Sequence, residues 1–343
     1  MFLLRPSARR PQRRALHRLS AVIAVAVLTL AACGGDETTQ SDGSSQNGES
    51  DGQLTSAPAF ANIVEGETYR PETLHYASIS GADEESSAQR AGVVVDWLSE
   101  ELDMPIDYVE TTDYGSVIEA MRAGRVDFSL FGPFSFVIAS TEANAEPLVA
   151  SPNQETGDLG YHSLIIVPAD SDAQTIADLE GKAMAFADPA STSGHLFPRL
   201  MLAQEGITDL DSFFSEQIFS GGHDASLVGV ANGQLDAAGV CDQCIERFFD
   251  EGMADRDDIR VIAESETIPP SPVSVRADLD PEFKDAIRDA YLRMFEEAPE
   301  VMQATRGSED PVNFPYEEVA EADYDIVREL ADELDVDLAE LDS

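Results

Sequence analysis

The sequence predicts an α/β protein of two similar lobes, each a mostly parallel sheet flanked by helices, with a cleft between them. Three observations carry this expectation. Strand-like and helix-like segments alternate from Leu74 to Ala263, the order that builds open, largely parallel sheets. Residues 120–130, AMRAGRVDFSL, are echoed by residues 230–240, VANGQLDAAGV. Both read as helix, glycine turn, hydrophobic residue, Asp and strand, as two copies of one unit would. Finally, Asp188–Gly194 follows an apolar run and precedes a helical pattern, which reads as strand, hydroxyl-rich turn and helix start.

Taken in order, Leu74–Ile79 reads as a strand, Ala88–Leu102 as an amphipathic helix and Ile106–Glu110 as a strand. Tyr114–Ala123 reads as a helix, Val126–Leu130 as a buried strand and Ser135–Ala143 as a helix. A polar, glycine-containing link then leads to strand Ser163–Val167. Strand Ala183–Ala187, helix Leu196–Glu205, strand Gln217–Ser220 and helix Ala225–Asn232 follow. Next come strand Ala237–Val240, helix Gln243–Gly252, strand Ile259–Ala263 and a proline-bearing crossing over Ile268–Val275. Helices over 281–297 and 324–335 close the chain. Loops at the carboxyl ends of such strands line a crevice, so the exits Phe131–Ser135 and Cys241–Gln243 are expected to face each other.

The first 32 residues read as an export leader. Residues 1–18 carry six arginines and no acid, and Ala21–Ala32 is an apolar run, too short to span a bilayer as a mature helix. The run ends Leu30-Ala31-Ala32-Cys33. Small residues before a cysteine resemble a bacterial lipobox, which implies cleavage before Cys33, a lipid on its sulfur and an anchor on the outer face of the cell membrane. A plain secretory leader is the alternative. Paired arginines hint at twin-arginine export, but their flanks fit the general route better. Residues 33–69 are poor in large apolar groups and read as a disordered tether. The expected division of the rest is one lobe from 70–155 plus 268–343 and the other from 156–267.

The formal net charge is −45, which excludes nucleic acid as a partner. Acidity spread over the surface keeps a protein soluble in high salt. If the ligand is an anion, this field opposes it, and recognition then needs local dipoles and short hydrogen bonds. Cys241-Asp242-Gln243-Cys244 is a lone CxxC. A zinc site would want two further ligands, so the pair reads as a small-loop disulfide of an exported protein; a redox pair and a reduced pair are the alternatives. The five histidines form no HxH or HExxH pattern. No metal, cofactor or catalytic constellation is expected.

Four segments converge in this layout. Ser191-Thr192-Ser193 stands at a helix start, where free N–H groups attract anions and hydroxyls donate without adding formal charge; a plain N-cap is the alternative. Phe131-Gly132-Pro133-Phe134-Ser135 offers a glycine for close backbone approach, with Phe131 as a pocket wall or simple core. Gly221-Gly222-His223 puts an imidazole at a helix start, where its pKa is lowered, as a donor or a structural histidine. Pro269-Pro270-Ser271-Pro272 is the return crossing. Tyr114 and Tyr161 are phenol donors near the mouths, or packed rings.

Over roughly residues 72–298 the chain resembles the substrate-binding proteins of phosphate, phosphite and phosphonate ABC importers. The resemblance rests on Asp113-Tyr114 with Ile118-Glu119-Ala120-Met121 and Val126-Asp127, and on Phe131-Gly132-Pro133. It rests further on Asp188-Pro189 with Ser191-Thr192-Ser193-Gly194, on Gly222-His223-Asp224, and on Val230, Gly233 and Asp236. It implies a type II periplasmic-binding-protein fold, with Ser191, Thr192, Ser193 and His223 on a phosphorus oxyanion and Phe131 lining the pocket. Some phosphonate-specific members carry an Asp where Ser271 stands and a Glu near Gln243. These departures weaken an aminoalkylphosphonate and leave phosphite, phosphate or a simple phosphonate. The implied partners are a small anionic ligand and an ABC permease with its ATPase, with the membrane reached through the lipid and the protein a monomer. Lobe closure is expected about crossing strands near 155–163 and 264–274. The alternatives are a sensor presenting ligand to a membrane receptor and a thiol–disulfide oxidoreductase using the CxxC. Residues 299–343 lie outside the resemblance and are expected to be helices packed on the first lobe, without a site.

Overall fold

The computed structural model describes residues 68–79, 84–306, 311–334 and 336. The expected leader, Cys33 and the tether up to residue 67 lie outside them. The described residues begin just before the lobe boundary expected at residue 70. Tyr69 pairs with Leu279, and its N–H donates to the Asp278 carbonyl at 2.7 Å. The Arg276 guanidinium lies 4.6 Å from the Tyr69 ring centre, which gives this short segment a side-chain anchor as well as a backbone one.

The strands are β1 (Leu74–Ser78), β2 (Ile106–Tyr108), β3 (Phe128–Leu130), β4 (Ala145–Ala150), β5 (Ser163–Pro168) and β6 (Ala183–Phe186). They continue with β7 (Glu216–Phe219), β8 (Ala237–Cys241), β9 (Ile259–Glu264), β10 (Pro272–Arg276) and β11 (Glu317–Glu318). The α-helices are α1 (Glu84–Glu101), α2 (Tyr114–Arg122), α3 (Pro133–Glu142), α4 (Phe197–Gln204) and α5 (Leu210–Phe213). After them come α6 (His223–Ala231), α7 (Asp242–Asp250), α8 (Pro281–Glu297), α9 (Pro299–Arg306) and α10 (Asp325–Glu333).

Two sheets form the cores of two lobes. The first runs β11-β4-β10-β3-β1-β2 and the second β7-β6-β8-β5-β9. In each, three strands with helical crossovers pair in parallel: β2, β1 and β3 in the first, and β7, β6 and β8 in the second. A returning strand, β10 or β5, then enters antiparallel. Alternating strand side chains feed cores on both faces. Met184 and Phe186 pack with Leu202 and Phe214, whereas Ala185 packs with Leu227 and Val230.

The internal echo is a repeated structural device. Gly124 and Gly233 take φ of 68° and 66° after α2 and α6, the left-handed turn that ends a helix and favours glycine. Three residues later, Asp127 and Asp236 stand just before β3 and β8. Their carboxylates accept the N–H of His75 in β1 and of Ala183 in β6, at 2.8 and 2.9 Å. Each Asp thereby registers its strand against the neighbouring parallel one.

Two segments cross between the lobes, from β4 to β5 and from β9 to β10. They pair where Tyr161 and Ile268 exchange backbone bonds of 3.1 and 2.8 Å. A Cβ on Gly160 would stand 2.5 Å from Thr267 Cγ2 and 2.8 Å from the Ile268 carbonyl, so this close approach requires glycine. The lobes also touch away from the crossing, since Phe131 and Phe134 share a core with Ala190, Leu196 and Phe197.

The polar, glycine-containing link that the sequence predicts before Ser163 contains strand β4. Pro147 hides the strand: it lies at a register shift against β10, and β11 pairs only with Val149 and Ala150, so its missing N–H interrupts little. Beyond residue 299, α9 and α10 pack through Met302, Val327 and Leu330. The strand β11 at the sheet edge was not expected.

Candidate functional site

The Ser191-Thr192-Ser193 segment leaves β6 and enters one π-helical turn, Thr192–Leu196, that leads into α4. Wide turns of this kind occur often at functional sites. Ser191 caps the turn by accepting the Gly194 N–H at 3.0 Å. A Cβ at Gly194 would meet Ala187 Cβ at 2.4 Å and Ser191 Oγ at 2.7 Å, so glycine permits the tight return. The Ser193 carbonyl accepts the Ser163 hydroxyl of β5 at 2.6 Å. The three hydroxyl residues are buried.

The opposite wall comes from the first lobe and the crossings. Tyr114, at the first turn of α2, is hydrogen-bonded to Ser191, and burial raises its phenol well above the ordinary tyrosine value. Tyr161, on the crossing segment, is hydrogen-bonded to Ser193, Thr192 and Ser271; burial pushes its pKa up to about 12. The Phe134 N–H at the start of α3 donates to the Thr192 hydroxyl at 2.8 Å. A Cβ on Gly132 would lie 3.4 Å from Thr192 Oγ1, so this glycine backbone runs against the hydroxyl. Gln243, in the first turn of α7, donates to the Gly160 carbonyl at 3.2 Å. Phe131 is buried beside them.

His223 begins α6, and its Nε2 lies 3.4 Å from Ser191 Oγ. Burial, against the opposing charge of Asp224, lowers its pKa to about 4, so the ring is neutral near pH 7. Its Nδ1 is buried without a hydrogen-bond partner. All nine residues singled out from the sequence, Ser271 among them, line one broad cleft, which extends beyond them along α7 and, contrary to expectation for residues after 299, to Thr305, Arg306 and Tyr316. The starts of α2, α3, α6, α7 and the π turn supply lining residues. Each brings the positive end of a helix dipole, so the arrangement suits a compact anion even in an acidic protein.

Cys241 and Cys244 form a disulfide across the first turn of α7, and both line the cleft. Among the described residues, no group of three or more His, Cys, Asp or Glu is placed to hold a metal ion.

Two residues of this region have roles that the sequence does not assign: Asp188, which belongs to the predicted turn, and Arg247. The Asp188 carboxylate accepts the backbone N–H of Ala190, at 2.8 Å, and that of Tyr114 in the other lobe. Burial pushes its pKa up to about 6. Arg247 of α7 lines the cleft wall, its buried Nε making no hydrogen bond but an ion pair with the Glu251 carboxylate at 3.8 Å. Arg90 of α1 reaches the same Glu251 from the first lobe at 3.3 Å.

Residues 76–324 match the family described as the periplasmic substrate-binding protein of the phosphonate ABC transporter. The phosphate-import protein PhnD of Mycolicibacterium smegmatis is 30% identical over 93% of this chain and 96% of its own. The phosphonates-binding periplasmic protein of Escherichia coli is 26% identical over 64% of this chain and 66% of its own. Among solved structures, Prochlorococcus marinus PhnD1 in complex with methylphosphonate superposes with a TM-score of 0.69. It is 18% identical and covers 78% of this chain and all of its own, 100%. A binding component of a phosphonate ABC transporter from Pseudomonas aeruginosa gives 0.68 at 22% identity, covering 79% of this chain and 97% of its own. These solved structures share the type II periplasmic-binding-protein fold. The chain belongs to the family of periplasmic substrate-binding proteins of phosphonate ABC transporters.

Proposed function

We propose that this protein captures a small phosphorus oxyanion, namely phosphite, phosphate or a simple phosphonate, and delivers it to an ABC permease and its ATPase without catalysing a reaction. The observation that carries this reading is the meeting of Ser191, Thr192 and Ser193 with Tyr114, Tyr161 and His223 between the lobes. Neutral hydroxyl and imidazole groups at helix starts can surround a tetrahedral oxyanion with donors. Ser271 and Gln243 add no carboxylate for a ligand's amino group. The M. smegmatis relative is named for phosphate import and a P. marinus relative for phosphite binding, which supports a small ligand without a charged tail.

In this reading the lobes divide at 155/156 and 267/268, and closure about these crossings presents the loaded form to the permease. The protein acts as a monomer held on the outer face of the cell membrane by lipid on Cys33, with the segment that follows it as the tether. A thermal-shift panel tests the reading, because a ligand that binds only the folded state raises its melting temperature. Phosphate, phosphite or methylphosphonate should raise the melting point in molar salt, and 2-aminoethylphosphonate should do so less. No shift from any of them, in a protein that melts cooperatively, would remove the phosphorus assignment.

A further inference from the structure

The hydroxyl donors of the pocket are neutral, and so is His223 above about pH 4. Such donors read the shape of a tetrahedral oxyanion and, through ion–dipole attraction, distinguish its charge less sharply than a full cation does. A methylphosphonate dianion and a methanesulfonate monoanion present nearly the same shape. A formal positive charge would widen the difference between them, and Arg247 lines the same cleft as the donors.

We propose that Arg247 is the charge-selecting residue of this pocket, giving doubly charged phosphorus oxyanions an advantage over singly charged isosteres such as sulfonates. The inference rests on reading the cleft as an oxyanion site. Arg247 lines the cleft with Tyr114, Ser191 and His223. It acts electrostatically on both His223 and Tyr114, the two residues that meet at Ser191. Its Nε, ion-paired to Glu251, and the His223 Nδ1 are buried polar atoms that make no hydrogen bond, on neighbouring helices of one cleft wall. Buried polar groups are otherwise almost always paired, and a bound oxyanion would bring acceptors to this wall. The Glu251 carboxylate, at 3.8 Å, is beyond hydrogen-bond reach of that Nε. Arg90 is already engaged, with Ser87 at 3.0 Å and Glu251 at 3.3 Å.

The charged and titratable groups that act on Arg247 are Arg90 from α1, Tyr114 from α2, His223 and Asp224 from α6, and Glu251 from its own helix. Removing the guanidinium would take one positive charge from a wall that also carries the Asp224 and Glu251 carboxylates. Coulomb repulsion scales with ligand charge, so a dianion should lose more affinity than a monoanion.

The test is calorimetric titration of wild type, Arg247→Gln and Arg247→Lys in mildly alkaline buffer. The ligands are methylphosphonate and methanesulfonate, with phosphate and sulfate as a pair of equal charge. We expect Arg247→Gln to weaken methylphosphonate about tenfold more than methanesulfonate, to leave the phosphate-to-sulfate ratio unchanged, and Arg247→Lys to retain part of the preference. Equal losses for all four ligands, or no loss, with both variants folded, would overturn the assignment and leave Arg247 a structural partner of Glu251. Wild type binding none of the four would overturn the oxyanion reading itself, and this inference with it.

Discussion

The backbone N–H of Phe134, at the start of α3 in one lobe, donates to the hydroxyl of Thr192, at the head of the π turn in the other, at 2.8 Å. The Thr192 oxygen accepts from the first lobe, while its own O–H can still donate. A residue proposed to hold the ligand therefore also holds the lobes together. Asp188 adds a parallel tie by accepting the Tyr114 N–H across the same boundary.

Thr192→Val keeps the shape and deletes the hydroxyl, leaving the buried Phe134 N–H without its acceptor. We expect ligand affinity to fall by about 1–3 kcal/mol, with Thr192→Ser close to wild type. Calorimetry measures the affinities, and small-angle scattering should show a larger open fraction in the valine variant. Equal affinity for valine and wild type would mean that the tie does not contribute to capture.

His75 gives a pH signature of the fold. Its Nδ1 lies 3.0 Å from the fully buried Asp127, and that hydrogen bond raises the histidine pKa above its ordinary value. A raised folded-state pKa stabilises fully below the unfolded value and loses that contribution as pH rises through the folded one. Relative to His75→Gln, wild type should gain up to about 1 kcal/mol in mildly acidic buffer, after solvent screening. The gain should be gone in alkaline buffer. Urea denaturation across this range reads the difference, and a gain that grew with pH would contradict the sign.

The disulfide closes a short loop at the start of α7. Chain entropy gives such a loop about 2 kcal/mol of stability. Replacing both Cys241 and Cys244 by Ser should cost about that much, with little change in affinity. Denaturant midpoints and titrations of one preparation separate the two effects. An affinity loss as large as the stability loss would mean that the disulfide, which lines the cleft, shapes the ligand site directly.

Much of this was legible because its signals are local. Gly124 and Gly233 mark helix ends, and Asp127 and Asp236 mark strand starts. Each ligand-site segment carries its hydroxyl, imidazole or glycine where a strand meets a helix. What was not legible depends on distant chain. The strand β4 carries Pro147 and exists because β10 and β11 lie beside it. Arg247, on an amphipathic helix of mixed charge, reads as a solvated residue until α7 is set into the cleft wall. Asp188 is an ordinary carboxylate in sequence; its burial and its raised pKa belong to packing between lobes.

The measurement that bears most directly on the central claim is a calorimetric titration of wild type and Ser191→Ala with phosphate, phosphite and methylphosphonate. Ser191 joins Tyr114, His223 and the π turn. The account predicts stoichiometric binding of at least one of these ions by wild type and a loss of about 1–3 kcal/mol in Ser191→Ala. Undiminished binding by a folded Ser191→Ala would place the ligand elsewhere and contradict it.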